Sequence, residues 1–135
     1  VMARVLKNLG SKRAFVVHGM DTLDEITVTG KTRVSELKGG RIRSYYLTPR
    51  DFGLKSAKSA AIRGGGAKAN AAIVRSVLQG ERGARRDIVL MNAAAALVAG
   101  GKAPDLKAGV RLAAASIDSG EALKKLVQLI ELTNR

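Results

Sequence analysis

Apolar residues recur at helical spacing over the first nine positions, as Met2, Val5, Leu6 and Leu9, and Gly10 stands where a C-terminal cap belongs. The pattern predicts the end of a helix. Ala14-Phe15-Val16-Val17 is a continuous apolar run behind a basic turn, which predicts a short, buried parallel strand ending at His18-Gly19. Ile26-Thr27-Val28-Thr29 is β-branched throughout. Residues 32–37 and 41–47 alternate on either side of Lys38-Gly39-Gly40, predicting a β-hairpin whose glycines supply positive φ. Thr48-Pro49 ends the strand character, and Phe52 is a single aromatic anchor in the following loop.

The second half changes period. Residues 55–63 are basic and weakly patterned, and Gly64-Gly65-Gly66 predicts a hinge before a helix. Ile73, Val74, Val77 and Leu78 share one face of a helix over 67–78. Residues 86–98 are apolar nearly all round, with Ala93 to Ala96 at the centre, predicting a buried helix that its neighbours approach closely. A third helix follows Pro104 over 105–117, and Leu123, Leu126, Val127 and Ile130 mark a fourth. The predicted class is α/β: a short parallel strand, a β-hairpin, then a helical C-terminal half. A lone strand apolar on both faces cannot make a sheet. An upstream half is therefore expected to supply further parallel strands, in keeping with a sequence that opens on Val1 rather than Met.

Composition adds three constraints. Hydrophobic residues make up 46% of the 135 positions but aromatics only 3%, so Ala, Val, Leu and Ile must fill the core of one domain. With no cysteine there is no disulfide framework, thiolate zinc site or cysteine nucleophile, which agrees with an expected cytoplasmic location. No apolar run approaches membrane-spanning length, and no signal-peptide pattern follows Arg4 and Lys7. Twenty-four Lys and Arg against 11 Asp and Glu give a net charge of +13. That charge raises the alternative of a basic nucleic-acid-binding module, through Lys55, Lys58 and Arg63 or through Arg41 and Arg43 beside Tyr45 and Tyr46. The basic residues are spread through every element, however, and no recognition signature accompanies them. A solvated basic surface is favoured, with at least one tyrosine facing the core.

The chemistry concentrates in His18-Gly19-Met20-Asp21-Thr22-Leu23-Asp24-Glu25, which holds three of the chain's 11 acids. The loop leaves the C-terminal end of the strand, the edge where ligands bind in open α/β sheets. Adjacent Asp24 and Glu25 offer oxygens of the kind Mg²⁺ takes together with waters and substrate phosphates. Solvated or capping carboxylates are the plainer alternative. His18 alone reads as a structural hydrogen-bonding residue rather than a base. Asn92 reads as a buried amide bonded to backbone, and Arg86-Asp87 as a charge pair at a helix start.

Residues 6–26, from Leu6-Lys7-Asn8-Leu9-Gly10 through the acidic loop to Ile26, closely resemble the anthranilate phosphoribosyltransferases. Further matches run in order: Leu47-Thr48-Pro49-Arg50-Asp51-Phe52-Gly53-Leu54, Asn70-Ala71, Gly80-Glu81-Arg82-Gly83, the stretch from Arg86 to Leu97, and Ile117-Asp118-Ser119-Gly120. The resemblance covers essentially the whole chain and favours this family over the pyrimidine nucleoside phosphorylase-like relatives. It implies transfer of phosphoribosyl from phosphoribosyl pyrophosphate to anthranilate in tryptophan biosynthesis, with Mg²⁺ held by Asp24 and Glu25. Asp21 then orders the loop behind them and His18 anchors it. It further implies that residues 1–135 are the C-terminal portion of the α/β domain. The family's N-terminal helical domain and glycine-rich phosphate loop have no counterpart in these residues, so the chain alone is expected to be inactive. The full-length enzyme is expected to be a homodimer, and an open sheet edge predicts self-association of the fragment. Thr22 stands where the family usually has glycine.

Overall fold

The computed structural model describes residues 1–134. Helix α1 spans Met2–Asn8, and Gly10 reverses the chain at φ 88°. Strands β1 (Arg13–Gly19), β2 (Thr32–Lys38) and β3 (Arg41–Leu47) form one sheet in the order β1-β2-β3. The turn uses Gly39 and Gly40 at φ 54° and 75°, the left-handed pair a two-residue hairpin requires. Single turns of 3₁₀ helix follow at Pro49–Phe52 and Ser59–Ile62. Four helices complete the chain: α2 (Ala67–Leu78), α3 (Ala84–Ala99), α4 (Leu106–Asp118) and α5 (Glu121–Thr133).

The mixed α/β architecture is as expected, but the parallel strand is not seen. Strand β1 pairs antiparallel with β2, from Arg13 opposite Lys38 to Gly19 opposite Thr32. Its other edge is open among the described residues. The physical reason lies in residues 20–31, which fold back as a loop with no crossover helix and so return the chain in the opposite direction. A short apolar run looks the same in either pairing. Residues 13–17 of β1 are correspondingly half-buried rather than buried, with Phe15 and Val17 turned toward the core.

That core holds one fully buried aromatic, Phe52, and is otherwise aliphatic, as the composition demands. Ile26, Val28, Val34, Leu47, Phe52, Ile88, Met91, Ala94 and Ala95 form its main cluster, joining the sheet, the loop after β1 and the inner face of α3. The larger of these side chains, from Val to Phe, contribute about 1.5–3 kcal/mol each when buried this deeply. Helix α3 is the central element, packed on α4 across a second cluster of Val77, Leu90, Ala113 and Ile117.

The charge pair expected between Arg86 and Asp87 is replaced by a longer-range one. Arg86, 5% exposed, donates to both carboxylate oxygens of Asp118 at 2.7 and 2.9 Å and to the Gly80 carbonyl at 3.2 Å. From the first turn of α3 the Arg86 side chain is directed at the end of α4, while Asp87 stays near the helix dipole in the same turn. The fork–fork geometry holds the Asp118 carboxyl below its ordinary range. A depressed acid stabilises the fold above its unfolded pKa of about 4, and that contribution is lost as pH falls through the lower, folded value. Asp118→Asn is therefore expected to lower stability to urea at pH 7 and to lower it by less at acid pH, as wild type loses the same contribution. Equal losses at both pH values would rule out the ion pair as the cause.

Candidate active site

Gly19 ends β1 and starts the acidic loop. A Cβ at this position would lie 2.5 Å from an Asp21 carboxylate oxygen and 3.2 Å from Leu23, so a side chain here would displace the Asp21 carboxylate and press on Leu23. The turn is closed by the Gly19 N–H donating to the Leu23 carbonyl at 2.8 Å and by the Thr22 N–H donating to the Gly19 carbonyl at 3.0 Å. Thr22 sits at φ 76°, the only non-glycine residue at positive φ among the described residues. This is backbone that glycine adopts most readily. A β-branched residue in the left-handed region is strained by about 1–2 kcal/mol. Thr22→Gly is expected to raise stability by about 1 kcal/mol after glycine's greater unfolded entropy is counted. A thermal melt at or below wild type would refute that.

Asp21 points back into the loop. Its carboxylate accepts from the Thr27 hydroxyl at 2.5 Å, from the Thr29 hydroxyl, and from the Leu23 N–H at 3.4 Å. Burial pushes its pKa up, but these donors outweigh burial and hold it below the ordinary value. Thr27 is itself fully buried, and its N–H donates to the Thr32 hydroxyl at 3.0 Å. The loop is thereby clasped to the start of β2.

Asp24 and Glu25 follow, side by side and exposed. Burial pushes the Glu25 carboxyl up, and the negative charges of Asp24 and Asp21 push it further. Among the described residues neither has a cation within ion-pair distance. No group of three or more His, Cys, Asp or Glu able to hold a metal occurs among the described residues. Two carboxylates with uncompensated charge fit Mg²⁺, which takes few protein oxygens and fills its octahedron with water and phosphate. They do not fit a transition metal. His18 is exposed at the penultimate position of β1, opposite Arg33, and no side-chain hydrogen bond to it occurs among the described residues. It lies in the strand, not the loop.

One residue ties the pair to the core. The Asn92 amide accepts from the Ile26 N–H at 2.9 Å and donates to the Ile26 carbonyl and the Ile88 carbonyl, each at 2.9 Å. The backbone bonding of Asn92 was legible, but its partner, the residue beside Glu25, was not. Sixty-six positions separate Asn92 from Ile26, and no local pattern links them.

The basic features lead elsewhere. Tyr45 donates its hydroxyl to Glu36 at 2.9 Å and packs against the core, so one tyrosine is turned inward as expected and only Tyr46 is exposed. Arg41 and Arg43 line a hollow of about 500 Å³ at the hairpin tip, at the opposite end of β2 and β3 from the acidic loop. The triple glycine is closed by Asn70, whose amide brackets Gly65 at 2.8 and 2.9 Å. It forms a structured entry to α2.

Residues 1–123 match the family model described as glycosyl transferase family, a/b domain. The chain belongs to this family. Among its relatives, anthranilate phosphoribosyltransferase of Nitrobacter hamburgensis is 55% identical over 133 residues, covering 98% of this chain and 40% of the relative. That of Geobacter sulfurreducens is 54% identical over 133 residues, covering 98% and 38%. The crystal structure of anthranilate phosphoribosyltransferase from Thermus thermophilus superposes with a TM-score of 0.88 at 42% identity, over 99% of this chain and 39% of that one. The Saccharomyces cerevisiae enzyme in complex with PRPP (phosphoribosyl pyrophosphate) and Mg superposes at 0.77 with 32% identity, over 87% and 34%. The chain thus spans about two-fifths of the length of the curated relatives it matches, with 40% for the Nitrobacter protein. Within this glycosyl transferase domain no described helix is long and apolar enough to cross a membrane.

Proposed function

We propose that this glycosyl transferase chain is the C-terminal portion of the α/β domain of an anthranilate phosphoribosyltransferase, and that Asp24 and Glu25 are its Mg²⁺ ligands. The observation that carries the proposal is the pairing of two uncompensated carboxylates, one beside a backbone residue fixed to α3, in a fold whose relatives bear that enzyme's name. The natural protein then transfers phosphoribosyl from phosphoribosyl pyrophosphate to the anthranilate amine. Mg²⁺, when bound, neutralises the negative charge that gathers on the departing pyrophosphate. Asp24 and Glu25 present the oxygens that hold it, directly or through water. Asp21 binds no substrate in this proposal: with Thr27 and Thr29 it keeps the loop from collapsing onto the acidic pair. The chain takes no nucleic acid in this proposal, works in the cytoplasm, and pairs with a second copy in the complete enzyme.

The test is the fluorescence of anthranilate, followed with the natural gene product. The signal is expected to fall only when phosphoribosyl pyrophosphate and Mg²⁺ are both present. Consumption of a pyrimidine nucleoside with phosphate instead would move the protein to the phosphorylase branch. Salt-sensitive binding of oligonucleotides near physiological ionic strength, with no anthranilate consumed, would favour the basic-module alternative. Residues 1–135 alone are expected to give no turnover, because aligning two substrates requires phosphate contacts beyond those this loop offers.

A further inference from the structure

We infer that Asn92 is a positioning residue for the acidic pair: from the middle of α3 it sets where Glu25 presents its carboxylate, and thereby the affinity of the site for its divalent cation. The inference rests on the proposed function and adds to it a residue that touches neither substrate nor metal.

The geometry is specific. Ile26 is 2% exposed, so its N–H and carbonyl have no water to turn to. Both are met by the single Asn92 amide at 2.9 Å, an arrangement that fixes the peptide plane as a neighbouring strand would. The remaining amide hydrogen is spent on the Ile88 carbonyl, one helical turn back at 2.9 Å, which locks the side chain against α3 itself. Met91, fully buried on the same helix, and Ile26 belong to one core cluster, so the anchor sits on a rigid base. Glu25 is the next residue along the chain, one Cα step of about 3.8 Å from this fixed point. Across the loop, the Asp21 clasp to Thr27 and Thr29 holds the other side. The acidic pair is therefore strung between two tethers, and Asn92 is the one that reaches the core. Mg²⁺ demands near-ideal octahedral geometry. A carboxylate free to wander must be ordered when the cation binds, and that lowers affinity without altering the chemistry once the cation is in place.

The experiment compares the natural protein with Asn92→Ala, with the near-isosteric Asn92→Asp, and with Leu90→Ala, a destabilising control facing α4 in the other core cluster. Asn92→Asp keeps an acceptor for the Ile26 N–H but turns an oxygen toward two carbonyls in place of the donor. Two readouts are taken: Mn²⁺ binding in the presence of pyrophosphate by electron paramagnetic resonance, and the Mg²⁺ concentration for half-maximal turnover. Both Asn92 variants are expected to weaken cation binding by about ten- to a hundredfold, with maximal turnover at saturating Mg²⁺ within a few-fold of wild type. Leu90→Ala is expected to melt earlier and leave the cation affinity of the folded protein unchanged. Asn92 variants that lose stability while keeping wild-type cation affinity would overturn the inference and leave Asn92 a structural residue. Should Asn92→Ala fail to fold, Asn92→Asp decides. Absence of cation binding in the unsubstituted protein would overturn the proposed function, and this role with it.

Discussion

Exchange of Asp24 for Asn and Glu25 for Gln together is expected to reduce phosphoribosyl transfer by about a hundred- to a thousandfold, the usual cost of losing an electrostatic stabiliser of the transition state. The amides keep the shape of both side chains and remove only the charge that would hold Mg²⁺. Stability is expected to move the other way. The Glu25 carboxyl is pushed up by burial and by the charges of Asp24 and Asp21. An acid whose folded pKa is raised costs stability when ionised, and the cost disappears as pH falls through that raised value. At pH 7 the double variant is therefore expected to melt at or slightly above the wild-type temperature. A functional site that carries local repulsion has this signature of stability exchanged for activity. Anthranilate fluorescence and a thermal melt on the same preparation check both halves. Undiminished turnover with the same Mg²⁺ dependence would remove Asp24 and Glu25 from the metal site. A large drop in melting temperature would make the loss of activity a folding effect instead.

The parts of this fold legible in the sequence are those set by neighbouring residues. Gly39-Gly40 specified the hairpin because a two-residue turn needs positive φ, and α2 falls on residues 67–78 because Ile73, Val74, Val77 and Leu78 share one face. Asp105 caps α4 by accepting from the Ala108 N–H at 2.8 Å, just behind Pro104. What stayed hidden is set by distant pairs. The antiparallel partner of β1 depends on how residues 20–31 fold back, and Arg86 chose Asp118, 32 positions away, over the adjacent Asp87. The acidic loop stood out by its residues alone. The reason it holds its shape did not, because Asn92 reaches it from a helix whose local pattern reads only as buried.

The same distance effect underlies the largest expected loss of stability, at Gly109. Alanines at the centre of α3 already predicted that a neighbour approaches closely, and the neighbour is α4, with Gly109 at the contact. A Cβ added there would lie 2.9 Å from the Cα, the Cβ and the carbonyl oxygen of Ala94. Two of those three atoms are backbone, and Ala94 is fully buried, so no side-chain rotation can make room. The helices must separate, and α3 is also the helix that carries Asn92. Gly109→Val is expected to cost about 3 kcal/mol or more, a large share of the roughly 5–15 kcal/mol that hold a domain together. Gly109→Ala is expected to cost less, about 1–2 kcal/mol, because alanine recovers about 1 kcal/mol of helix propensity. Ala94→Gly on the same background is expected to restore only part of the loss, since it removes one of the three contacts. Urea unfolding of the single and double variants measures all of this. A Gly109→Ala protein as stable as wild type would mean that α3 and α4 can part freely, and the close crossing would then not be what positions the site.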